Sequence, residues 1–284
     1  MQKSKSINIP KATRYQNAAI DYYMGLTGSS YLHYGYWEVI PTIGKELTLT
    51  DLREAQAAYT AKLFSFIPEG IKTVLDVGCG IGGNAKSLCE RGLSVEGLAP
   101  DTIQQEKFIQ NTNGKVPFYL TTFEEFQSSH SYDLVLLSES SQYMAVEDLA
   151  QGAARLLNSG SYLLIADMMR FDASYKEGIF SNCHLANDLQ TALEKAGFKL
   201  VKTEDISKSI APTIDLCIHN FQTFGLTTFK YIADVVKIAV PPIHTIGSWA
   251  FKRWLDKPIT EGLAAGEIFE SHLCYQIQLW QLST

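Results

Sequence analysis

Val74-Leu75-Asp76-Val77-Gly78-Cys79-Gly80-Ile81-Gly82-Gly83-Asn84 is the stretch on which the reading of this chain turns. Val74 to Val77 is an apolar run broken by one acid, the pattern of a buried strand, and the glycines behind it mark a tight turn into a helix. A plain turn does not need four glycines between positions 78 and 83, because each one costs backbone entropy on folding. Bare backbone lets a ligand approach closely, and the free amides that open the following helix suit an anionic or polar group. A nucleotide-like cofactor is the natural occupant.

Gly78, Gly80 and Gly83 also satisfy the G-x-G-x-x-G spacing of dinucleotide-binding turns. Asp76 separates the alternatives, since such turns usually carry a glycine or an apolar residue two places before the first glycine. With that acid, the stretch resembles motif I of the class I S-adenosylmethionine-dependent methyltransferases, D-x-G-x-G-x-G. The resemblance implies S-adenosyl-L-methionine as cofactor. Gly78, Cys79, Gly80 and Gly82 would lie along its methionine part, with Asp76 holding the same end and Asn84 beside it. An NAD-linked oxidoreductase stays open as a second reading. Asp76, Ala99 and the lack of a Tyr-x-x-x-Lys pair weigh against it.

Composition sets the outer limits. At 284 residues and 46% hydrophobic content the chain can bury one large core. A net charge of −6 argues against nonspecific nucleic-acid binding, which depends on basic patches that neutralise phosphates. No segment reaches the roughly 18 apolar residues of a membrane span, so a soluble, cytoplasmic protein is expected. Cys79, Cys89, Cys183, Cys217 and Cys274 are scattered and show no C-x-x-C spacing, which indicates neither a disulfide framework nor a metal site.

Beyond the glycines the pattern alternates between strand and helix, which predicts an α/β fold with a mainly parallel sheet covered on both faces. Helices are expected from Asn84 to Glu90, through Ile103 to Gln110, from Val146 to Leu157 and from Leu185 to Ala196. The strands between them are expected at 93–98, 117–120, 132–137, 161–166 and 198–202. The last, 274–280, reads as a clean alternation of apolar and polar residues. One Rossmann-like unit results, with residues 1–66 as an N-terminal cap, 67–206 as the cofactor-binding core, 207–269 as a helical lid and 270–284 as the final strand. Ligands in such sheets sit beyond the carboxyl ends of the strands, where extra segments tend to cover them.

The cap carries a second motif, Asp21-Tyr22-Tyr23 followed by Tyr31-Leu32-His33-Tyr34-Gly35-Tyr36-Trp37. It resembles the tyrosine-rich segment before motif I in the sarcosine/dimethylglycine and tocopherol methyltransferases. That resemblance implies that Tyr22, His33 and Tyr34 border the cofactor, and Tyr23 and Tyr36 the methyl acceptor. Aromatic faces suit a sulfonium, because a cation is drawn to the ring quadrupole. The plainer reading of the motif is an aromatic cluster packed under a helix.

Class I enzymes usually place an acid at the end of the second strand to bind the ribose, and the matching position here is Ala99, after Leu98. Glu96 sits on the opposite face of that strand. The stretch Gly97-Leu-Ala-Pro-Asp-Thr-Ile-Gln104 instead resembles the tocopherol, sterol and cyclopropane-fatty-acid branch, which makes Gln104 the ribose-side candidate. Thr122 and Phe123 occupy the adenine position. Ser138-Glu139-Ser140-Ser141-Gln142-Tyr143-Met144 resembles the E-S-x-E-H-M segment of that branch, which puts Ser138 and Glu139 on the cofactor side and Gln142 and Tyr143 toward the acceptor. Gln142 and Tyr143 depart from the family's Glu and His.

The expected activity is methyl transfer to nitrogen or oxygen of a small, largely apolar metabolite, in specialised metabolism, with C-methylation of an aromatic or prenyl acceptor as the alternative. A noncatalytic module that keeps the cofactor pocket is a third reading. Transfer from a sulfonium is an in-line displacement that needs positioning and, where the acceptor must lose a proton, one base. Tyr143 and His184 are the candidate catalytic residues. His219, His244 and His272 read as packing residues. The lid aromatics Phe221, Phe224, Phe229, Tyr231, Trp249, Phe251 and Trp254 are expected around the acceptor, the competing reading being the lid's own core or a homodimer contact.

Overall fold

The run before the glycines forms β1 (Thr73–Val77), inside a seven-stranded sheet ordered β3-β2-β1-β4-β5-β7-β6. The other strands are β2 (Ser94–Ala99), β3 (Phe118–Leu120), β4 (Tyr132–Ser138), β5 (Leu157–Arg170), β6 (Phe198–Asp205) and β7 (Leu273–Leu282). All pairs are parallel except the two made by β7, which runs antiparallel between β5 and β6. The computed structural model describes residues 27–41, 47–240 and 255–283. Tyr22, Tyr23, Trp249, Phe251, Trp254 and His244 lie outside the described residues.

Neighbouring residues of a strand point to opposite faces. Val74, Leu134, Leu136, Leu164 and Ile277 therefore enter one core, and Leu75, Val135, Leu137, Leu163 and Ile165 the other. The first core is covered by α1 (Leu49–Phe64), α2 (Gly83–Glu90), α3 (Thr102–Asn111), α6 (Ser207–Asn220) and α9 (Ala265–His272). The second is covered by α4 (Val146–Leu156) and α5 (Ala186–Lys195). Helix α1 starts at a reciprocal cap in which Thr48 and Asp51 bond each other's backbone amides. Its Tyr59, Leu63 and Phe64 are buried on Val74, so this part of the 1–66 segment is built into the core rather than laid over it.

Two expectations about strands change. Strand β7 is buried on both sides along most of its length, because it sits inside the sheet, and its alternating sequence had suggested one covered face. The 158–160 segment is not a loop before β5; the ladder with β4 steps from Tyr132↔Leu157 to Leu134↔Tyr162 and carries the intervening residues as a bulge.

After α6, a π-helical segment (Phe221–Leu226) leads into α7 (Thr227–Ala239), and the described chain resumes shortly before α8 (Asp256–Leu263). Helix α6 buries Ile210 and Ile214, whereas α7 buries no residue. Phe224, Phe229 and Tyr231 are 66%, 45% and 69% exposed. Phe221 packs one turn along its own helix, at Gly225. Phe224, Phe229 and Tyr231 are thus exposed, Phe221 is half-buried, and α7 adds no residue to either core. No described helix is long and apolar enough to cross a membrane.

Candidate active site

The carboxyl ends of β1, β2 and β4 bring together the glycine loop, the 138–143 turn and residues 29–37, which form a strap across the loop. The Gly78 and Cys79 amides both donate to the Leu98 carbonyl, at 2.9 and 3.3 Å, which fixes the first half of the loop to the end of β2. A Cβ on Gly78 would fall 2.4 Å from Ser140 Cβ, one on Gly82 would fall 2.8 Å from Phe108 Cδ2, and one on Gly83 would fall 2.6 Å from Tyr31 Cδ1. Those glycines make room for protein. Gly80 is different: with φ +54° its missing side chain would meet only Leu32 Cδ1, at 3.5 Å. The expectation that bare backbone serves a ligand therefore narrows to Gly80.

Two acceptors at the ends of this loop are orphaned. Asp76 Oδ2 and Asn84 Oδ1 are buried and have no hydrogen-bond donor among the described residues. Burial lifts the Asp76 carboxyl from 3.8 to about 7. A buried acceptor left unpaired costs about 1–3 kcal/mol, so this pair fits a ligand that brings its own N–H donors, as the ammonium of an amino-acid group does. Cys79, buried next to Gly97, has its thiol pushed well above the ordinary range by burial and by Asp76, so it is no nucleophile.

The strap is held along its length. Gln56 Nε2 donates to the Tyr31 and His33 carbonyls, Tyr36 N to Ala55 O, Trp37 N to Ser209 O, and Gly35 N and Trp37 Nε1 both to Thr213 Oγ1. His33 does not open onto the cofactor space. Its ring stacks on Tyr59 at 4.2 Å, with Nδ1 on the Tyr34 carbonyl and Nε2 on Thr60 Oγ1, and burial lowers its pKa to about 4. Tyr36 also turns elsewhere, to a cation contact with Lys62, which is paired with Glu204. Its ring is half-buried against the first core.

At the end of β4, Glu139 Oε1 accepts from Tyr34 N at 2.9 Å and from the Tyr275 hydroxyl at 2.8 Å, while Tyr275 and Tyr59 share a hydroxyl contact of 2.7 Å. Tyr59 also meets Ser138 Oγ. Ser140 Oγ donates to the Val77 carbonyl at 2.6 Å, and Ser141 N and Oγ donate to Asp167 Oδ2. Burial raises the Asp167 carboxyl. His184 Nε2 lies 2.8 Å from the Ser141 carbonyl, so Nε2 carries the proton and holds the turn. Gln142 Oε1 takes bonds from Asn182 and Cys183 rather than presenting itself to an acceptor. Tyr143 ends a short 3-10 turn and is half exposed.

On the ribose and adenine side, Ala99 is buried and Glu96 is taken up by Tyr132 and His130. Asp101 caps α3 through Gln104 N at 2.8 Å. Phe123 turns into the core, its ring against Gly152 of α4, because that helix leaves a side-chain-sized gap there; it does not offer a face for stacking. Thr122 Oγ1 accepts from Glu125 N in the same turn.

Tyr59, Tyr275, Asp167, Gln56 and Thr213 were not singled out from sequence. They stand far from the glycine loop in the chain and belong to no local motif. Among the described residues no cluster of His, Cys, Asp or Glu is arranged to hold a metal ion, and all five cysteines are unpaired.

Comparison with known proteins agrees with this geometry. The methyltransferase-domain family matches residues 75–165. The O-methyltransferase cnsE of Penicillium expansum is 27% identical over 219 residues, covering 69% of this chain and 74% of that protein. Among solved structures, the [4+2]-cyclase SpnF aligns over 96% of both chains with a TM-score of 0.69 at 16% identity. The geranyl diphosphate C-methyltransferase of Streptomyces coelicolor A3(2), in complex with S-adenosyl-L-homocysteine, aligns over 97% of this chain and 94% of its own with a TM-score of 0.66 at 14% identity. These two likenesses establish the fold, and a fold of this kind hosts more than one chemistry. The matched methyltransferase domain carries the glycine loop and the turn after β4, and the full sheet around it has the fold of the class I S-adenosylmethionine-dependent methyltransferases.

Proposed function

We propose that the chain transfers the methyl group of S-adenosylmethionine to a hydroxyl oxygen of a small, partly apolar acceptor. The observation that carries the cofactor half is the pair of orphaned acceptors, Asp76 Oδ2 and Asn84 Oδ1, flanking Gly80, the glycine of the 78–83 loop whose missing side chain meets no tight protein contact. The cofactor's ammonium supplies the donors these oxygens lack. Leu32, on the strap, is the side chain nearest that space, and Gln104 stays the candidate on the ribose side, within α3. The choice of oxygen is supported by the O-methyltransferase name of the Penicillium relative and by the carboxyl at the end of β4, which suits an acceptor that must lose a proton.

When bound, the cofactor supplies an electrophilic methyl on sulfur. The chain's own contribution is to orient that methyl and the acceptor oxygen in line and to keep the site dry. Tyr143, half exposed on the turn after β4, is the proposed acceptor-side contact, and His184 is proposed to act by holding that turn through Ser141. The acceptor is a single small molecule. Binding measured by calorimetry with S-adenosylhomocysteine and NAD, followed by mass spectrometry of a hydroxylated, an amine and a prenyl acceptor panel, tests the reading. Methylation confined to hydroxyl compounds is expected. Transfer confined to amines or to carbon, or binding of NAD instead, would remove the proposal.

A further inference from the structure

Glu139 stands out twice. Its backbone has φ +56°, in the left-handed region, and Asn113 is its one non-glycine companion there among the described residues. Asparagine visits that region readily, whereas glutamate is strained in it. Strain of this kind persists where the surroundings fix it, and here they do: Glu139 N donates to the Ala166 carbonyl at 2.9 Å, and the next residue is wedged between the Val77 carbonyl and Gly78. The side chain is divided in use. Oε1 takes both bonds, from Tyr34 N and the Tyr275 hydroxyl, while no hydrogen bond among the described residues reaches Oε2, and the residue is partly exposed. One oxygen is an anchor. The other is presented.

Two other candidate bases at this end of the sheet are occupied: His33 has both ring nitrogens bonded, and Asp167 accepts from Ser141 and from Met168 N. His184 is tied through Nε2 to the Ser141 carbonyl, which leaves its Nδ1 as the competing base. We infer that Glu139 Oε2 receives the hydroxyl proton of the methyl acceptor, with Tyr275 and Tyr59 as its positioning residues; this rests on the proposed O-methylation. In the step, Glu139 takes the proton as the acceptor's O–H bond breaks. The oxygen's electron pair forms the bond to the methyl carbon, and the carbon–sulfur bond breaks with its pair left on sulfur. The products are a methyl ether, a neutral thioether and a protonated Glu139, which passes its proton to water.

The surroundings support this assignment. The groups that face Glu139 are Tyr59 on α1, Tyr275 on β7, Asp167 on β5 and Cys183 before α5, with no cation among them. Burial, opposed by the bonds from Tyr34 and Tyr275 and helped by Asp167, lifts its pKa from 4.5 to about 8. A proton affinity near neutrality suits a base that must both take and return a proton.

Glu139→Gln tests the inference, because the amide oxygen keeps both anchoring bonds and loses the basic one. Calorimetry with S-adenosylhomocysteine should give an affinity within about threefold of wild type. Turnover of a catechol probe, whose hydroxyls stay protonated at neutral pH, should fall about a hundredfold to ten thousandfold, and the wild-type rise in rate with a midpoint near pH 8 should disappear. Infrared difference spectra require no acceptor: wild type should show a protonated carboxyl at pH 6.5 that is lost by pH 9 and is absent from the Gln variant. Gln turnover within threefold of wild type, a matching loss of S-adenosylhomocysteine binding, or no protonated carboxyl assignable to Glu139 would each overturn the inference. A wild-type protein that binds no S-adenosylhomocysteine would instead remove the function on which it rests.

Discussion

The hydroxyls of Tyr59 and Tyr275 lie 2.7 Å apart although 216 residues separate them in the chain. The contact joins α1, which precedes the sheet, to β7, its last strand, and passes through Tyr275 to Glu139. Tyr275→Phe removes two hydrogen bonds from a buried network, so the protein should lose about 1–3 kcal/mol of stability, read from urea unfolding. Tyr59→Phe removes the contacts to Tyr275 and Ser138 and should cost a similar amount, and the double variant should cost less than the sum. Additive effects would show that the two hydroxyls do not act together.

Asp76 and Glu139 both hold their protons more tightly when folded than when unfolded, with pKa values raised to about 7 and about 8. Their contribution to stability is therefore complete below the ordinary carboxylate range and is lost as pH rises toward 8. The melting temperature of the free protein should fall between pH 5 and 8, and less so in Asp76→Asn. Ligand binding should run the other way, since an ammonium prefers ionised Asp76. Affinity for S-adenosylhomocysteine should rise severalfold between pH 6 and 8 in wild type and stay flat in Asp76→Asn. A flat wild-type profile would show that Asp76 does not meet the ligand's ammonium.

Gly80→Val should abolish S-adenosylhomocysteine binding in a protein that still folds. Its Cβ would meet only Leu32, so the fold bears mainly the strain of a branched residue at φ +54°, about 1–2 kcal/mol. Circular dichroism and calorimetry on the same sample decide it. A folded variant with wild-type affinity would place the cofactor elsewhere.

Thr213→Val removes the hydroxyl that accepts from Gly35 N and Trp37 Nε1. Two buried donors lose their partner, which loosens the strap at a cost of about 1–3 kcal/mol. Limited proteolysis should cut between residues 27 and 41 several times faster than in wild type, and KM for S-adenosylmethionine should rise. Unchanged cleavage would mean that the strap does not depend on α6.

Residues 74–84 were enough, without coordinates, to place β1, the glycine turn and α2, because strand burial and a left-handed turn leave local marks in residue type. Element types along the sheet were legible for the same reason. What each glycine spares room for was not: Gly78, Gly82 and Gly83 face Ser140, Phe108 and Tyr31, and which side chain meets a backbone across the fold is a tertiary fact. Phe123 and His33 looked like cofactor neighbours by position, yet packing turned one into the core and closed the other between Tyr59 and Thr60. The double burial of β7 followed from its place between β5 and β6, which no periodicity encodes. Sequence determined that a glycine-lined turn with Asp76 would sit at the end of a buried strand. Only the tertiary structure decided that Glu139 would be held at one oxygen by Tyr275 and Tyr34, because that arrangement depends on three segments meeting whose spacing in the chain carries no signal.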